Sequence, residues 1–98
     1  MRTLMTVQMD TETTNRAIRD GSLAKTMEST LEQLHAEAAF FTTREGQRTA
    51  YIVFDLHDTT QIPEVGEPFF LGMNAKIDLA PVMNADDVQE GLARLPHM

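Results

Sequence analysis

Tyr51, Asp55, Lys76, Asp78 and Gln8 are the side chains whose types and spacing suit chemistry. Tyr51 and Asp55 belong to residues 49–56, TAYIVFDL, a largely apolar run with the composition of a strand. Successive side chains of a strand point to opposite faces. Tyr51, Val53 and Asp55 therefore share one face, and Ala50, Ile52, Phe54 and Leu56 share the other. By the same alternation Lys76 and Asp78 oppose Ile77 and Leu79, and Gln8 opposes Val7 and Met9. Buried or half-buried ionisable groups have shifted pKa values and suit proton transfer, for which Asp55 or Asp78 could be the base. Tyr51 or Lys76 would be the polarising donor, and the Lys76 ammonium could hold an acid substrate. Gln8 and Thr6 share a face and could hydrogen-bond a ligand. Each residue also has a structural alternative. Lys76 could pair with a carboxylate across an interface. Asp55 could cap the loop at His57 and Asp58. Gln8 and Thr6 could bond each other or water.

Other chemistries have less support. The chain has no cysteine, which removes disulfides, thiolate metal sites and a cysteine nucleophile together. His35 and His57 have Glu37 and Asp58 nearby, but the spacing matches no metal motif, and a helix C-terminus explains His35 equally well. His97 falls in a chain end expected to fray. No metal is expected. No G-x-G-x-x-G or Walker pattern is present, so no nucleotide cofactor is expected either. Ser22 and Ser29 have no adjacent histidine to suggest a triad. Methionines such as Met5, Met9, Met27, Met73 and Met83 read as core filler.

Charge and length narrow the classes further. The net charge is −7, from 15 acidic and 8 basic residues, and the arginines are scattered at 2, 16, 19, 44, 48 and 94. Nucleic acid and anionic membrane surfaces are therefore poor partners. No apolar run approaches the roughly 20 residues that span a bilayer. Residues 1–7, MRTLMTV, lack the apolar core of a secretory leader. A cytoplasmic protein is the expectation. With 98 residues, 42% of them hydrophobic, the chain is read as one domain, 1–98.

The positioning elements follow from periodicity. Residues 2–9 alternate as a strand. Asp10 and Thr11 can cap a helix over 11–35. Within it Ala24, Met27, Leu31 and Leu34 form a stripe, while Ile18 lies almost opposite that stripe. Gly21 stands between them, followed by the good N-cap Ser22, so a break is predicted at Asp20, Gly21 and Ser22. Residues 37–44 and 48–56, joined by a Gly46 turn, read as a hairpin. Residues 61–73 read as a helix made short or broken by Pro68. Residues 76–82 are a last strand, with Pro81 marking an edge or end. Asn84 starts a C-terminal helical extension over 84–95, with Val88, Leu92 and Leu95 on one stripe.

The order is α+β, a ferredoxin-like β-α-β-β-α-β with a C-terminal helix. Right-handed crossovers place both helices on one face of a four-stranded antiparallel sheet. Met5, Val7, Met9, Ala39, Phe41, Ile52, Phe54, Ile77 and Leu79 would carry the helices. Leu4, Thr6, Gln8, Phe40, Thr42, Tyr51, Val53, Asp55, Lys76 and Asp78 would form the bare face. That face is too apolar to be left in water, so a second copy is expected to cover it.

Residues 51–55, YIVFD, and 67–79, EPFFLGMNAKIDL, resemble the third strand, second helix and fourth strand of muconolactone isomerases. Those enzymes belong to the dimeric α/β-barrel superfamily, in which two ferredoxin-like subunits pack their bare sheet faces together. Residues 81–88, PVMNADDV, look more like uncharacterised bacterial relatives of that group. The resemblance implies a homodimer and a small organic acid or aromatic ligand. It also implies cofactor-independent chemistry such as proton transfer or oxidation. The superfamily has no universal catalytic motif, so no catalytic residue carries over. The alternative expectation is a non-catalytic dimerisation module whose polar sheet residues only set interface specificity.

Overall fold

The structure, a computed structural model, describes residues 1–96; His97 lies outside the described residues. Its elements are β1 (Arg2–Gln8), α1 (Thr11–Arg19), α2 (Ser22–Leu34), β2 (Ala38–Arg44), β3 (Gln47–Asp55), α3 (Gln61–Met73), β4 (Lys76–Pro81) and α4 (Ala85–Ala93). The four strands form one antiparallel sheet in the order β2-β3-β1-β4. This is the α+β arrangement expected, compatible with a ferredoxin-like fold, and it puts β1 and β3 centrally. Glu45 and Gly46 link β2 to β3 with positive φ at both positions, the geometry that matches the twist of a two-residue hairpin.

Met5, Val7, Ala50, Ile52 and Phe54 of the central strands are buried against Ala17, Leu34, Val65, Phe69 and Met73 of the helices. Alternation put these strand residues on one face, and apolar burial holds them there. The Asp10 carboxylate accepts from the Thr13 amide at 2.9 Å and its hydroxyl at 2.7 Å, capping α1. The helix breaks where Ile18 falls out of phase. Gly21 has φ +81° and the Asp20 carboxylate accepts from the Ser22 amide at 2.8 Å, so the chain restarts as α2 on a new axis. Asn84 and Asp87 close a reciprocal capping box at the start of α4.

Three expectations are corrected. Residues 61–73 form one helix, with Pro68 inside it and exposed to solvent. A proline removes one helix hydrogen bond and crowds the carbonyl four residues back, and the buried Val65, Phe69 and Met73 on both sides of it offset that cost. Phe41 lies on the helix-bearing face but is 57% exposed, because β2 is an edge strand and the helices stop short of it. Met83 is exposed rather than core, since it follows the end of edge strand β4. Within α2 the stripe holds for Leu34, which is buried, and for Met27 and Leu31, which are half-buried; Ala24 is exposed.

Among the described residues, no helix is long and apolar enough to cross a membrane.

Candidate functional site

The pairing register brings four of the five candidate residues together on the bare face. Thr6 of β1 lies opposite Tyr51 on one side and Asp78 on the other. Gln8, two residues along, lies opposite Lys76. With strands about 4.8 Å apart, Tyr51 and Asp78 stand roughly 10 Å apart across Thr6. Lys76 flanks Asp78 at about 7 Å along the same strand. Thr6 is buried on its central strand, Tyr51 is half-buried, and Lys76 and Asp78 are exposed at the edge. The apolar border consists of Leu4, Val53 and Phe40, and Phe40 is 66% exposed. A ligand lying over Thr6 would meet a phenol on one side and a carboxylate and ammonium on the other. Gln8 is partly committed elsewhere: its amide donates to the Arg44 carbonyl at 3.0 Å and ties β1 to the hairpin end.

Asp55 does not join this patch. It shares the Tyr51 face but lies four residues further along, about 13 Å away, opposite Arg2. The Met1 ammonium hydrogen-bonds its carboxylate and holds it below the usual carboxylate range, and His57 Nδ1 lies 3.5 Å from the other oxygen. The loop after β3 is organised by other groups. Gln61 Oε1 accepts from the His57 amide at 2.7 Å, and the Asp58 carboxylate accepts from the Thr60 amide and hydroxyl. At this same end the Arg2 guanidinium bonds both Glu37 oxygens and reaches Asp87 Oδ2 at 3.3 Å. That fork joins β1, the segment before β2 and the first turn of α4.

The opposite face carries a feature that motif reading missed. Where the helices leave β2 uncovered, a cleft of about 340 Å³ opens, lined by Met9, Ile18, Leu23, Ala24, Met27 and Phe41. Arg48 of β3 also borders it. Its guanidinium donates to Thr14 Oγ1 at 2.7 Å, Asn15 Oδ1 at 2.9 Å and the Thr11 carbonyl at 3.3 Å. One signal pointed here from the sequence, the phase error of Ile18; Phe41 reads there as core, and its place on an edge strand comes from the sheet order. The convergence of Ile18 and Phe41 on one cleft depends on how the helices lie over the sheet.

His35 caps the C-terminus of α2 in a left-handed conformation, φ +48°, and is exposed. Among the described residues no group of three or more His, Asp or Glu side chains could hold a metal ion. No protein-family model matches the chain, and comparison with curated proteins gives no match.

Proposed function

We propose that this chain is a small-molecule enzyme or ligand-binding protein of the dimeric α/β-barrel type. Two copies pack their bare sheet faces together and enclose the polar patch around Thr6. The observation that carries this reading is the placement of Tyr51 and Asp78 on either side of Thr6, on a face bordered by Leu4, Val53 and Phe40. A few polar groups on an apolar surface are what a selective small pocket consists of. Helix α4 adds a second uncovered surface, since none of its residues is buried and Val88 and Leu92 are exposed.

The chemistry is cofactor-independent proton transfer on an organic acid, as in the muconolactone isomerases that residues 51–79 resemble. Asp78 takes a proton from carbon next to a carbonyl. The carbonyl oxygen gains the negative charge and accepts a hydrogen bond from the Tyr51 hydroxyl. The proton then returns from Asp78 to another carbon of the conjugated system, so a double bond moves and nothing is gained or lost. Lys76 pairs with the substrate carboxylate. In this reading the protein works in the cytoplasm as a homodimer.

Analytical ultracentrifugation, combined with deuterium incorporation into small unsaturated lactone acids, tests the proposal. A dimer whose exchange activity disappears in Asp78→Asn supports it. A monomer at micromolar concentration, or exchange indifferent to Asp78, overturns it.

One observation favours a second reading, a non-catalytic dimerisation module. Three clefts of the single chain are bordered by other residues, and none of them includes Tyr51, Lys76 or Asp78. If Phe40, Val53 and Leu4 close solidly against a second copy, the patch becomes a buried hydrogen-bond cluster that sets register.

A further inference from the structure

We propose that the cleft between α1, α2 and the β2–β3 edge is a binding site for an apolar monocarboxylate, with Arg48 receiving the carboxylate. The site is on the opposite face of the sheet from the Tyr51 patch and does not depend on the reading given for that patch.

The first argument is the lining. Met9 is almost fully buried, whereas Ile18 and Phe41 remain about half exposed at the same cleft, at 51% and 57%. Large apolar side chains that border a concave space lose water contact when an apolar molecule enters it. The volume, about 340 Å³, is at the small end of the ~300–1,000 Å³ range of ligand pockets. Two methionines, Met9 and Met27, contribute adaptable thioethers that fit irregular apolar ligands.

The second argument is charge. Arg2 pairs with two carboxylates and Arg94 with one. Arg48 is half-buried, yet each of its three hydrogen bonds ends on a neutral oxygen, and no ion pair among the described residues includes it. A guanidinium has five N–H donors, and these contacts use only its two terminal nitrogens. The Nε–H and one terminal N–H are left for a ligand. The bonds to α1 also fix the plane of the guanidinium, so a carboxylate meets a group already oriented. In a chain of net charge −7, a half-buried cation without an acidic partner, set at the rim of an apolar cleft, complements one ligand class. That class has an apolar body and a single anionic head.

Octanoate and octanol, of equal chain length, are the probes, titrated against the full chain while the methyl signals of Met9 and Met27 are followed by NMR. Octanoate should move both signals and bind about tenfold more tightly than octanol, the factor expected of a charge-assisted pair. Arg48→Gln should bring the two affinities together, and Ala24→Trp, which fills the cleft from α2, should abolish both. Arg48 also ties down α1, so where its variant loses the fold the wild-type comparison and Ala24→Trp decide alone. Equal affinity for the two probes, unmoved methionine signals, or binding that survives Ala24→Trp would each overturn the proposal. Shifts centred on Tyr51 and Lys76 would overturn it too, and would move the acid site to the other face.

Discussion

Ile18 of α1 and Phe41 of β2 line the same cleft, although the sequence places Phe41 under the helices and Ile18 out of phase with the α2 stripe. On one unbroken helix Ile18 would lie opposite the stripe of Ala24 and Met27, and the break at Gly21 lets it border the same cleft as those residues. Phe41 points toward the helices but emerges beyond their reach. One local event, the break at residues 20–22, therefore shapes both the helix layer and the uncovered strip of sheet beside it.

Gly21 should be intolerant of a side chain for conformational reasons alone. An added Cβ would meet nothing within 4 Å, but the backbone has φ +81°. Gly21→Ala should destabilise the protein by roughly 1 kcal/mol, the cost of holding an L-residue in the left-handed region. Urea unfolding should show this as a lower midpoint with an unchanged slope.

Adjacent phenylalanines should differ sharply. Phe69 is fully buried between α3 and the sheet, whereas its neighbour Phe70 is 45% exposed. Phe69→Ala should cost about 3–5 kcal/mol, because it removes buried area and leaves a cavity. Phe70→Ala should cost far less. Equal losses in denaturant titrations would mean that α3 sits in a different rotation about its axis.

The contrast between these neighbours also shows which parts of the fold were legible. The succession of strands and helices, the Asp10 cap, the break at Gly21 and the facing of Tyr51 all follow from period and local hydrogen bonding, which are written in neighbouring residues. Phase names a face but not how far across the sheet the helices extend, so Phe41 was assigned to the core. Pro68 was given too much weight because the local penalty of a proline is visible in sequence, while the burial of Val65, Phe69 and Met73 that offsets it is not. Asp55 was grouped with Tyr51 by face, although four residues of strand separate them. Arg48 lacked a motif, because its significance lies in which acceptors α1 brings to it.

Acid should weaken the protein through its hydrogen-bonded carboxylates. Thr13 lowers the pKa of Asp10, Ser22 that of Asp20, Arg2 that of Glu37 and Thr60 that of Asp58, in each case mainly by hydrogen bonding. A carboxyl group lowered in the folded state stabilises fully above its unfolded pKa, about 3.9 for Asp and 4.3 for Glu, and that contribution is lost as pH falls through the folded value. Stability should thus be flat from neutrality down to about pH 5 with respect to these groups and decline below it. Asp10→Asn keeps a capping oxygen but cannot titrate, so its urea midpoint should fall less steeply across the acid range than that of the wild type.

The bare sheet face should respond to charge as an interface does. Val53 stands opposite Leu4 and Ala38, and Phe40 opposite Tyr51. Val53→Asp or Phe40→Asp would place an unpaired carboxylate in the proposed contact, a change that commonly costs about 3–5 kcal/mol when no partner is near. Sedimentation velocity at micromolar concentration should change from dimer to monomer. Circular dichroism should stay close to wild type, because Phe40 is largely exposed in the single chain.

The Tyr51 patch separates the enzyme or binding reading from the dimerisation module. Tyr51 and Asp78 flank Thr6, and Lys76 lies beside Asp78, so these three would contact a common ligand. Asp55 lies at the other end of the face beside Arg2 and the Met1 ammonium. Tyr51→Phe removes one hydroxyl and Asp78→Asn one charge, and neither changes side-chain volume much. Both should therefore reduce binding of a small unsaturated acid in a thermal-shift screen by about tenfold or more, while the dimer remains intact. Asp55→Asn should leave that binding unchanged. A dimer in which Tyr51→Phe and Asp78→Asn alter only thermal stability, with no acid bound by the wild type, would leave the patch as an interface hydrogen-bond cluster. Loss of binding in Asp55→Asn equal to that in Asp78→Asn would instead require a ligand spanning the whole length of β3.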